Sequence, residues 1–261
     1  MKRTRIQPNI DGYPAEFQAL LRSSEVWDSS SSPEARVLFL DRDGGYYLKS
    51  ALKGTLAREA DMTRYFHTKG LASEVLSYIS AEKDWLLTAR VTGEDCTHAA
   101  YLADPKRLCD TTAELLRNLH SLDFSDCPVQ NRNETYYETA ERNYRAGHYD
   151  TSLFPDHWGY RSAEEAWQVI EAGRHLMKTD ALLHGDYCLP NVMLDCWRFS
   201  GFIDLGNGGA GDRHIDLFWG AWTLNFNLKT EQYTERFFDA YGRDAVDREK
   251  LKLVAAFEVF G

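Results

Sequence analysis

The stretch LLHGDYCLPNVML, Leu182 to Leu194, decides how the rest of this chain is interpreted. It sets an apolar run on each side of a polar centre that contains Asp186 and Asn191. A polar group between apolar runs tends to be buried, and burial costs free energy unless the group is paired. The stretch therefore predicts that other parts of the chain, or a ligand, pair with Asp186 and Asn191.

A second carboxylate follows, because Asp204 in FIDLG lies eighteen positions after Asp186. A phosphoryl-transfer site uses one carboxylate to accept a hydroxyl proton, an amide oxygen on a metal ion, and a second carboxylate that joins metal ions to phosphates. Asp186, Asn191 and Asp204 offer these three groups in that order. HGD or DLG alone is a weak motif, but both at this spacing indicate phosphoryl transfer.

Upstream, a lysine and a glutamate stand where a nucleotide site uses them. Lys49 ends the strand-like run YYLKS, and Glu59 follows ten residues later in a helical pattern. Taken alone, each residue is typical of a solvated surface charge. Together with the downstream acids, they favour a strand lysine that holds phosphates and a helix glutamate that orients it.

Four serines, residues 29–32, precede the first strand of this region. Composition alone favours a flexible turn. Small residues whose N–H groups and hydroxyls face an anion also suit a loop that contacts phosphates. The choice between these interpretations depends on the neighbouring residues.

Composition sets limits on the class of protein. The chain has 261 residues, 43% of them hydrophobic, which is enough for one large domain or two unequal lobes. The net charge of −10 disfavours nucleic acid and anionic membranes as partners and favours a cationic small molecule. No apolar run approaches the roughly 20 residues of a membrane span and no signal segment follows the basic start, so we expect a cytoplasmic protein. Five cysteines without a CxxC pair are expected to be reduced thiols.

The first third of the chain is β-rich. Residues 35–50 form a hairpin pattern around Asp43-Gly44-Gly45, residues 55–70 have helical spacing that ends at Gly70, and two strand-like runs follow at 74–80 and 84–91. After Gly93 the pattern becomes mostly helical. The expected elements include a helix after Asp104, a helix near residues 134–145, a helix after the capping box that starts at Ser162, and the short strands NVML and FSGFIDL.

HGDYCLPN and GFIDLG, preceded by LHSLDFSDCP, resemble the aminoglycoside 3'-phosphotransferases, antibiotic-resistance enzymes whose fold is similar to that of protein kinases. The resemblance runs from SSSSPEARV to the closing FEVFG. It implies an α+β, two-lobed, kinase-like fold with a nucleotide-binding lobe at residues 1–91 and a helical catalytic and substrate-binding lobe at 92–261. It also implies Mg²⁺-dependent transfer of the γ-phosphate of ATP (or GTP) to the 3'-hydroxyl of an aminoglycoside.

The resemblance assigns a role to each matching residue. Asp186 is the catalytic base, and Asn191 and Asp204 are the magnesium ligands. The nucleotide-binding residues are Lys49 on the α- and β-phosphates, Glu59 paired with Lys49, Tyr47 stacked on adenine, the hinge backbone from Ala89 to Val91, and Ser31 or Ser32 on the β-phosphate.

Supporting and substrate residues are also expected. Asp216 in HIDLF resembles the acidic residue that hydrogen-bonds the catalytic loop. His184 is a general base by one interpretation, but its apolar surroundings favour a histidine that braces the loop, and His120 is expected to be structural. Asp156 and Glu258 are the remaining candidates for binding the drug, although each also fits an ordinary surface carboxylate.

Two departures from the family pattern matter. Asn207 stands where many of these enzymes carry an arginine that reaches the nucleotide or phosphate side. Phe226 and Asn227, in LNFNLK, stand where family members place acidic residues against the amino groups of the drug. We therefore expect a less acidic wall and a narrower or weaker aminoglycoside spectrum.

Two other functions remain as alternatives. A kinase of another small alcohol, such as choline or a different antibiotic, shares HGD-x4-N and the following aspartate. A nucleotide-binding pseudokinase that acts as an interaction module is the second. The presence of all three essential side chains disfavours the pseudokinase.

Overall fold

A computed structural model describes residues 3–150 and 158–261. Asp156, a predicted substrate residue, lies outside the described residues. The chain divides into two compact units. The first comprises the described part of Met1–Asp95 together with Pro190–Asn207, and the second comprises the described parts of Cys96–Leu189 with Gly208–Gly261.

The strands of the described residues, in chain order, are β1 (Thr4–Ile6), β2 (Glu25–Asp28), β3 (Ala35–Asp41), β4 (Tyr46–Leu52), β5 (Val75–Ser80), β6 (Lys83–Ala89), β7 (Glu94–Asp95), β8 (Ala181–Leu183), β9 (Val192–Asp195), β10 (Arg198–Phe202) and β11 (Gly209–Gly211).

The α-helices are α1 (Ala15–Arg22), α2 (Ala57–Thr68), α3 (Ala99–Leu102), α4 (Pro105–His120), α5 (Arg132–Ala146), α6 (Ala163–Gly173), α7 (His214–Leu228), α8 (Thr234–Tyr241) and α9 (Arg248–Glu258). Short 3-10 helices cover Ile10–Gly12, Arg174–Leu176, Leu189–Asn191, Leu205–Asn207 and Arg243–Ala245. Within the described ranges, none of these helices combines the length and apolar character that a membrane crossing requires.

The first unit is built on a six-stranded sheet of order β1-β2-β3-β4-β6-β5. The predicted hairpin is confirmed as β3 and β4, and the two later strands as β5 and β6. Side chains alternate between the two faces of a strand. Leu48 packs in the apolar core on one face with Leu38 and Leu87, while Tyr47 and Lys49 line a cavity on the other.

Residues 190–207 belong to the first unit because β9 pairs with β10 on one side and with β7 on the other. Gly93 makes this approach possible, since its φ is +85° and a Cβ atom there would lie 2.1 Å from the carbonyl oxygen of Leu194. The sequence-based division after residue 91 assigned this segment to the second lobe. Its long-range pairing joins it to the nucleotide-binding residues Lys49 and Glu59 instead.

The second unit is mostly helical. The predicted caps are confirmed, because Asp104 accepts a hydrogen bond from the Arg107 N–H at the start of α4 and Ser162 accepts one from the Glu165 N–H at the start of α6. Aromatic and aliphatic side chains from α5, α6 and α9 share one core with Leu183 of β8. This core supports the strand that leads directly into His184, Gly185 and Asp186.

Candidate functional site

Lys49 is the centre of a charged cluster in the first unit. Its ammonium Nζ lies 2.7 Å from Glu59 Oε2 and 2.8 Å from Asp204 Oδ1. The Lys49 and Glu59 side chains are 19% and 11% exposed, while that of Asp204 is 52% exposed. One ammonium is therefore shared by two carboxylates, and one of these faces solvent.

The charge balance of this cluster favours a further cation. Burial opposes the charge of Lys49, but Glu59 and Asp204 outweigh it and raise the pKa of the lysine. Burial also raises the pKa of Glu59, with Asp204 adding repulsion and Lys49 opposing both. Two carboxylates with one lysine leave an excess of negative charge, and a bound cation would relieve it.

Glu59 is positioned by the start of α2. The side chain of Asp84, fully buried on β6, accepts a hydrogen bond of 2.9 Å from the Leu56 N–H, immediately before the helix begins. This fixes the first turn of α2, where Glu59 points at the β4 lysine. Sequence reasoning missed Asp84, because its role depends on a contact between residues 28 positions apart.

Asp204 follows β10 with φ +60°, a left-handed backbone conformation that is uncommon for a residue other than glycine. The neighbouring Ile203 N–H donates to the carbonyl oxygen of Asn191 at 3.1 Å, which ties the two predicted metal ligands together through their backbone. Asn191 is 8% exposed. An amide oxygen and a carboxylate are the oxygen donors that Mg²⁺ uses in proteins.

The described residues contain no group of three or more His, Cys, Asp or Glu side chains arranged to hold a metal ion. This is compatible with magnesium at a nucleotide site, because that ion is usually bound by one or two protein ligands together with phosphates and water. Asn191 and Asp204, beside an ammonium that cannot neutralise both its acidic partners, fit such an ion.

A cavity of about 350 Å³ adjoins the cluster in the first unit. The predicted nucleotide-binding residues that line it are Lys49, Glu59, Ser31, Tyr47, Ala89 and Val91. Ser32 lines a neighbouring space of about 440 Å³ that also reaches Lys49 and Asp204. A wider groove of about 1120 Å³ elsewhere in this unit, lined by Tyr13, Arg36 and Trp85, contains none of the predicted residues.

Tyr47 has a neighbour that sequence reasoning missed. The Arg3 guanidinium donates to the Tyr47 hydroxyl through Nη2 at 2.6 Å, and its carbon lies 3.8 Å from the centroid of the Phe39 ring. The N-terminal segment thus holds the tyrosine that is expected to stack on the base. No local pattern signals this contact between residues 44 positions apart.

In the second unit, Asp216 binds the loop that carries Asp186. Its carboxylate accepts hydrogen bonds of 2.7 Å from the backbone N–H groups of both His184 and Gly185, and it lies 3.1 Å from His120 Nε2. Asp216 is fully buried. These bonds hold the backbone that leads into Gly185, whose φ of +83° sets the sharp turn before Asp186.

His184 braces the same loop. It is fully buried, and its Nδ1 atom accepts a hydrogen bond of 3.3 Å from the Asp186 N–H. A ring nitrogen that accepts from the backbone of Asp186 has a structural partner of its own. The Leu189 N–H, at the far end of the loop, donates to the Thr223 hydroxyl of α7 at 3.1 Å.

Glu258, a predicted drug-binding residue, lies at the end of α9 and is only 9% exposed. Its Oε1 atom accepts hydrogen bonds from the Tyr136 hydroxyl and, at 2.9 Å, from the Trp219 indole N–H. Burial raises its pKa to about 7; these two donors and Arg132 oppose the shift, and the charge of Asp186 adds to it. Glu258 is therefore not an ordinary surface carboxylate, and it is close enough to Asp186 to respond to its charge.

A family model described as "Phosphotransferase enzyme family" matches residues 29–254. The chain belongs to this phosphotransferase family. A "Probable aminoglycoside 3'-phosphotransferase" of Lactococcus lactis is 51% identical over 262 residues, covering 100% of this chain and 99% of that protein.

Solved structures agree with this assignment. An aminoglycoside-3'-phosphotransferase of type VIII matches with a TM-score of 0.77 and 26% identity, over 95% of this chain and 100% of that one. A phosphotransferase of Streptomyces rimosus, solved with ADP and streptomycin, shares the fold at a TM-score of 0.73 and 22% identity, over 94% and 98% of the two chains. The α+β, kinase-like fold expected from the motifs is confirmed.

The two departures of this phosphotransferase from the family pattern lie in different units. Asn207 ends the 3-10 helix Leu205–Asn207, where Arg58 Nε donates to the Gly206 carbonyl oxygen at 2.8 Å. Phe226 and Asn227 lie in α7, where Phe226 is 48% exposed and the Asn227 amide donates to the Thr223 carbonyl oxygen at 2.8 Å. At these two positions of α7 the structure therefore has an exposed aromatic side chain and an amide bonded to its own helix, and the less acidic wall stays a prediction.

Proposed function

We propose that this phosphotransferase moves the γ-phosphate of ATP to the 3'-hydroxyl of an aminoglycoside, which would confer resistance to that drug. The observation that carries the proposal is the Lys49 ammonium held by Glu59 and Asp204 at the wall of a cavity. This lysine-glutamate pair with a second acidic residue is the arrangement on which kinase-type phosphoryl transfer depends. The relatives named above support an aminoglycoside as the acceptor. The use of ATP as the donor implies a cytoplasmic protein.

On the nucleotide side, Lys49 contacts the α- and β-phosphates and Glu59 keeps its ammonium in position. Tyr47 stacks on the base, and the backbone between Ala89 and Val91 bonds the adenine edge. Ser31 and Ser32 lie on the phosphate side, where Ser31 lines the cavity and Ser32 the adjoining space. These contacts fix the donor before the reaction, which is most of what phosphoryl transfer requires of a protein.

Asn191 and Asp204 would hold magnesium. When bound, the ion neutralises charge on the phosphates. The part of this chain in that task is to present two oxygen donors from fixed backbone, one at the end of β10 and one in the segment bonded to it. The exposed Asp204 carboxylate suits an ion that arrives with the nucleotide.

Asp186 accepts the proton of the acceptor hydroxyl. The hydroxyl oxygen bonds to the γ-phosphorus, the bond from phosphorus to the β,γ-bridging oxygen breaks, and ADP leaves. Asp216 does not touch the reacting atoms; it holds the two N–H groups before Asp186 and so acts as a positioning residue. His184 supports the Asp186 N–H in the same way.

Glu258 is the candidate partner for an ammonium group of the drug. The net charge of −10 would raise the local concentration of a polycation. Asp156 is the second candidate from the sequence and lies outside the described residues. A buried ammonium without such a partner would cost several kcal/mol, so acidic partners are decisive for this acceptor.

The test is ATP-dependent phosphorylation of a panel of acceptors, namely kanamycin, neomycin, streptomycin, choline and a macrolide. We expect one phosphate on the 3'-hydroxyl of kanamycin or neomycin, identified by mass and by NMR, and at least about 100-fold slower formation of that product with Asp186→Asn. The same assay with GTP in place of ATP compares the two phosphate donors. Phosphorylation of choline or the macrolide alone would favour a different small-alcohol kinase, and nucleotide binding without any transfer would favour a pseudokinase.

A further inference from the structure

Three aromatic side chains share one face of α7. Trp219, Trp222 and Phe226 are spaced by three and four residues, which places them along a single line of the helix. The Trp219 and Trp222 ring centroids are 5.3 Å apart, and the Trp222 and Phe226 rings stack at 5.0 Å with an interplanar angle of 12°. We refer to these three residues as the aromatic stripe.

The outer end of the aromatic stripe already holds a cation. Lys229 Nζ lies 4.1 Å from the centroid of the Phe226 ring, with Lys229 in a left-handed conformation just after the helix ends. A ring face with an ammonium at this distance interacts through its quadrupole, and tryptophan does so most strongly. Phe226 is 48% exposed, and both tryptophans are partly exposed.

The inner end of the aromatic stripe contacts Glu258, the candidate drug-binding residue. The Trp219 indole donates to Glu258, whose carboxyl is affected by the charge of Asp186. Thr223, next to Trp222 in sequence, accepts from the Leu189 N–H of the loop that carries Asp186. The aromatic stripe thus begins beside the catalytic loop and extends over two helical turns, about 10 Å along the helix axis.

We propose that the aromatic stripe is the acceptor-binding wall of this enzyme and that it binds ammonium groups of the aminoglycoside by cation–π contacts. This inference rests on the proposed function and specifies how its acceptor is recognised. It gives Phe226 a role in place of the family's acidic residues, because Phe226 stacks on Trp222 and so holds an aromatic face that attracts an ammonium without carrying a charge. Glu258 supplies a carboxylate at the inner end, and the tryptophan rings supply the positions farther out.

The experiment compares variants that remove or keep the ring. Trp222→Leu and Phe226→Leu retain apolar bulk without a π face, whereas Trp222→Phe retains a face and is the matched control. Binding of kanamycin A is measured by calorimetry without nucleotide, together with kcat and KM for kanamycin in the presence of ATP. Fully N-acetylated kanamycin, which has the same sugars without ammonium groups, is the uncharged probe.

We expect Trp222→Leu to weaken kanamycin binding and raise its KM by roughly fivefold or more, with kcat and the KM for ATP unchanged. Phe226→Leu should have a smaller effect in the same direction, and Trp222→Phe should restore most of the affinity. Binding of the N-acetylated probe should be weak in all four proteins and should not differ between them.

An equal loss of binding affinity for kanamycin and for the N-acetylated probe would mean that the rings act by shape and apolar contact alone. This result would overturn the inference. Unchanged kanamycin binding in both leucine variants would also overturn it, while phosphorylation of kanamycin by the unmodified enzyme would leave the proposed function intact. If the unmodified enzyme neither binds nor phosphorylates kanamycin, the inference and the proposed acceptor both fail.

Discussion

Asp204 and Asp212 are two aspartates with opposite surroundings. Asp204 has a side chain 52% exposed and shares the Lys49 ammonium with Glu59. Asp212 is fully buried in the second unit, with Lys250 Nζ at 2.6 Å and His214 Nδ1 at 2.7 Å. Burial opposes ionisation of Asp212, but hydrogen bonds from His214, from Lys250 and from the Lys178 N–H hold its pKa well below the ordinary value.

Under the proposed function, the difference separates a group that would bind a ligand from one that stabilises the fold. His214 accepts from the Asp247 N–H at Nε2, so its proton lies on Nδ1 and is donated to Asp212. The Asp212 carboxylate is therefore fully served by donors of the protein itself. Asp204 shares the Lys49 ammonium with Glu59 and is more exposed, and a cation bound with a nucleotide would add positive charge beside these two carboxylates.

The largest expected effect concerns the reacting group. Asp186→Asn should lower kcat by at least about 100-fold, because a positioned proton acceptor contributes roughly 10² to 10⁴ in rate. Calorimetry should show that Mg-ATP still binds. Asp195→Asn removes an exposed carboxylate nine positions later and is the matched control. Near-normal turnover of Asp186→Asn, with chemistry shown to be rate-limiting, would exclude Asp186 as the base.

The cluster of Asp212 with Lys250 and His214 should affect stability rather than catalysis. Lys250→Met leaves Asp212 buried without its main cation, and we expect a loss of about 3–5 kcal/mol in the free energy of unfolding. Urea unfolding measures it. KM for ATP and for kanamycin should stay within about twofold at a temperature where the variant is folded. A variant as stable as the unmodified protein would show that this ion pair contributes little.

The sequence predicted the strands, the main helices and the candidate residues Lys49, Glu59 and Asp204, because the motif around each of them is local. It assigned no structure to residues 4–28, where β1, α1 and β2 lie, since these elements are short, with eight residues in α1 and fewer in each strand. It also missed the pair of Asp212 with Lys250 and the contact of Arg3 with Tyr47. Both are contacts between residues distant in sequence, which no local pattern encodes.

Glu258 differs from both Asp204 and Asp212, because it is buried but has a pKa of about 7. This pKa is above the ordinary value of 4.5, so the folded protein favours the protonated form of Glu258. The protonated carboxyl therefore contributes to the free energy of unfolding. This contribution is complete below about pH 4.5 and is lost as the pH rises through 7. The carboxylate that would bind an ammonium forms over the same range.

We therefore expect KM for kanamycin to fall severalfold between about pH 6 and 8 as Glu258 ionises. Steady-state kinetics at fixed ionic strength measure this change, with Glu258→Gln as the control that corrects for titration of the drug. The Gln variant should have a higher and flatter KM. Identical pH profiles in the two proteins would remove Glu258 from drug recognition.

The smallest expected effect concerns Arg3. Arg3→Met should raise KM for ATP by about two- to fivefold, because it removes the hydrogen bond that holds the Tyr47 hydroxyl. In a double-mutant cycle with Tyr47→Phe, the effect of Arg3→Met should largely disappear. Arg5→Met, which removes an exposed ion pair with Glu25, is the control and should change nothing. Additive effects in the cycle would show that Arg3 does not act through Tyr47.

We propose that Lys49, Glu59 and Asp204 serve the nucleotide and not the fold. The rise in Tm caused by saturating Mg-ATP, measured for Asp204→Asn and for the unmodified protein, tests it most directly. We expect Asp204→Asn without ligand to melt at the same temperature or higher, because Lys49 then has one acidic partner, and to lose most of the ligand-induced rise. A full Mg-ATP shift in this variant would exclude Asp204 from the nucleotide site, and a collapse of its Tm without ligand would assign Asp204 to the fold.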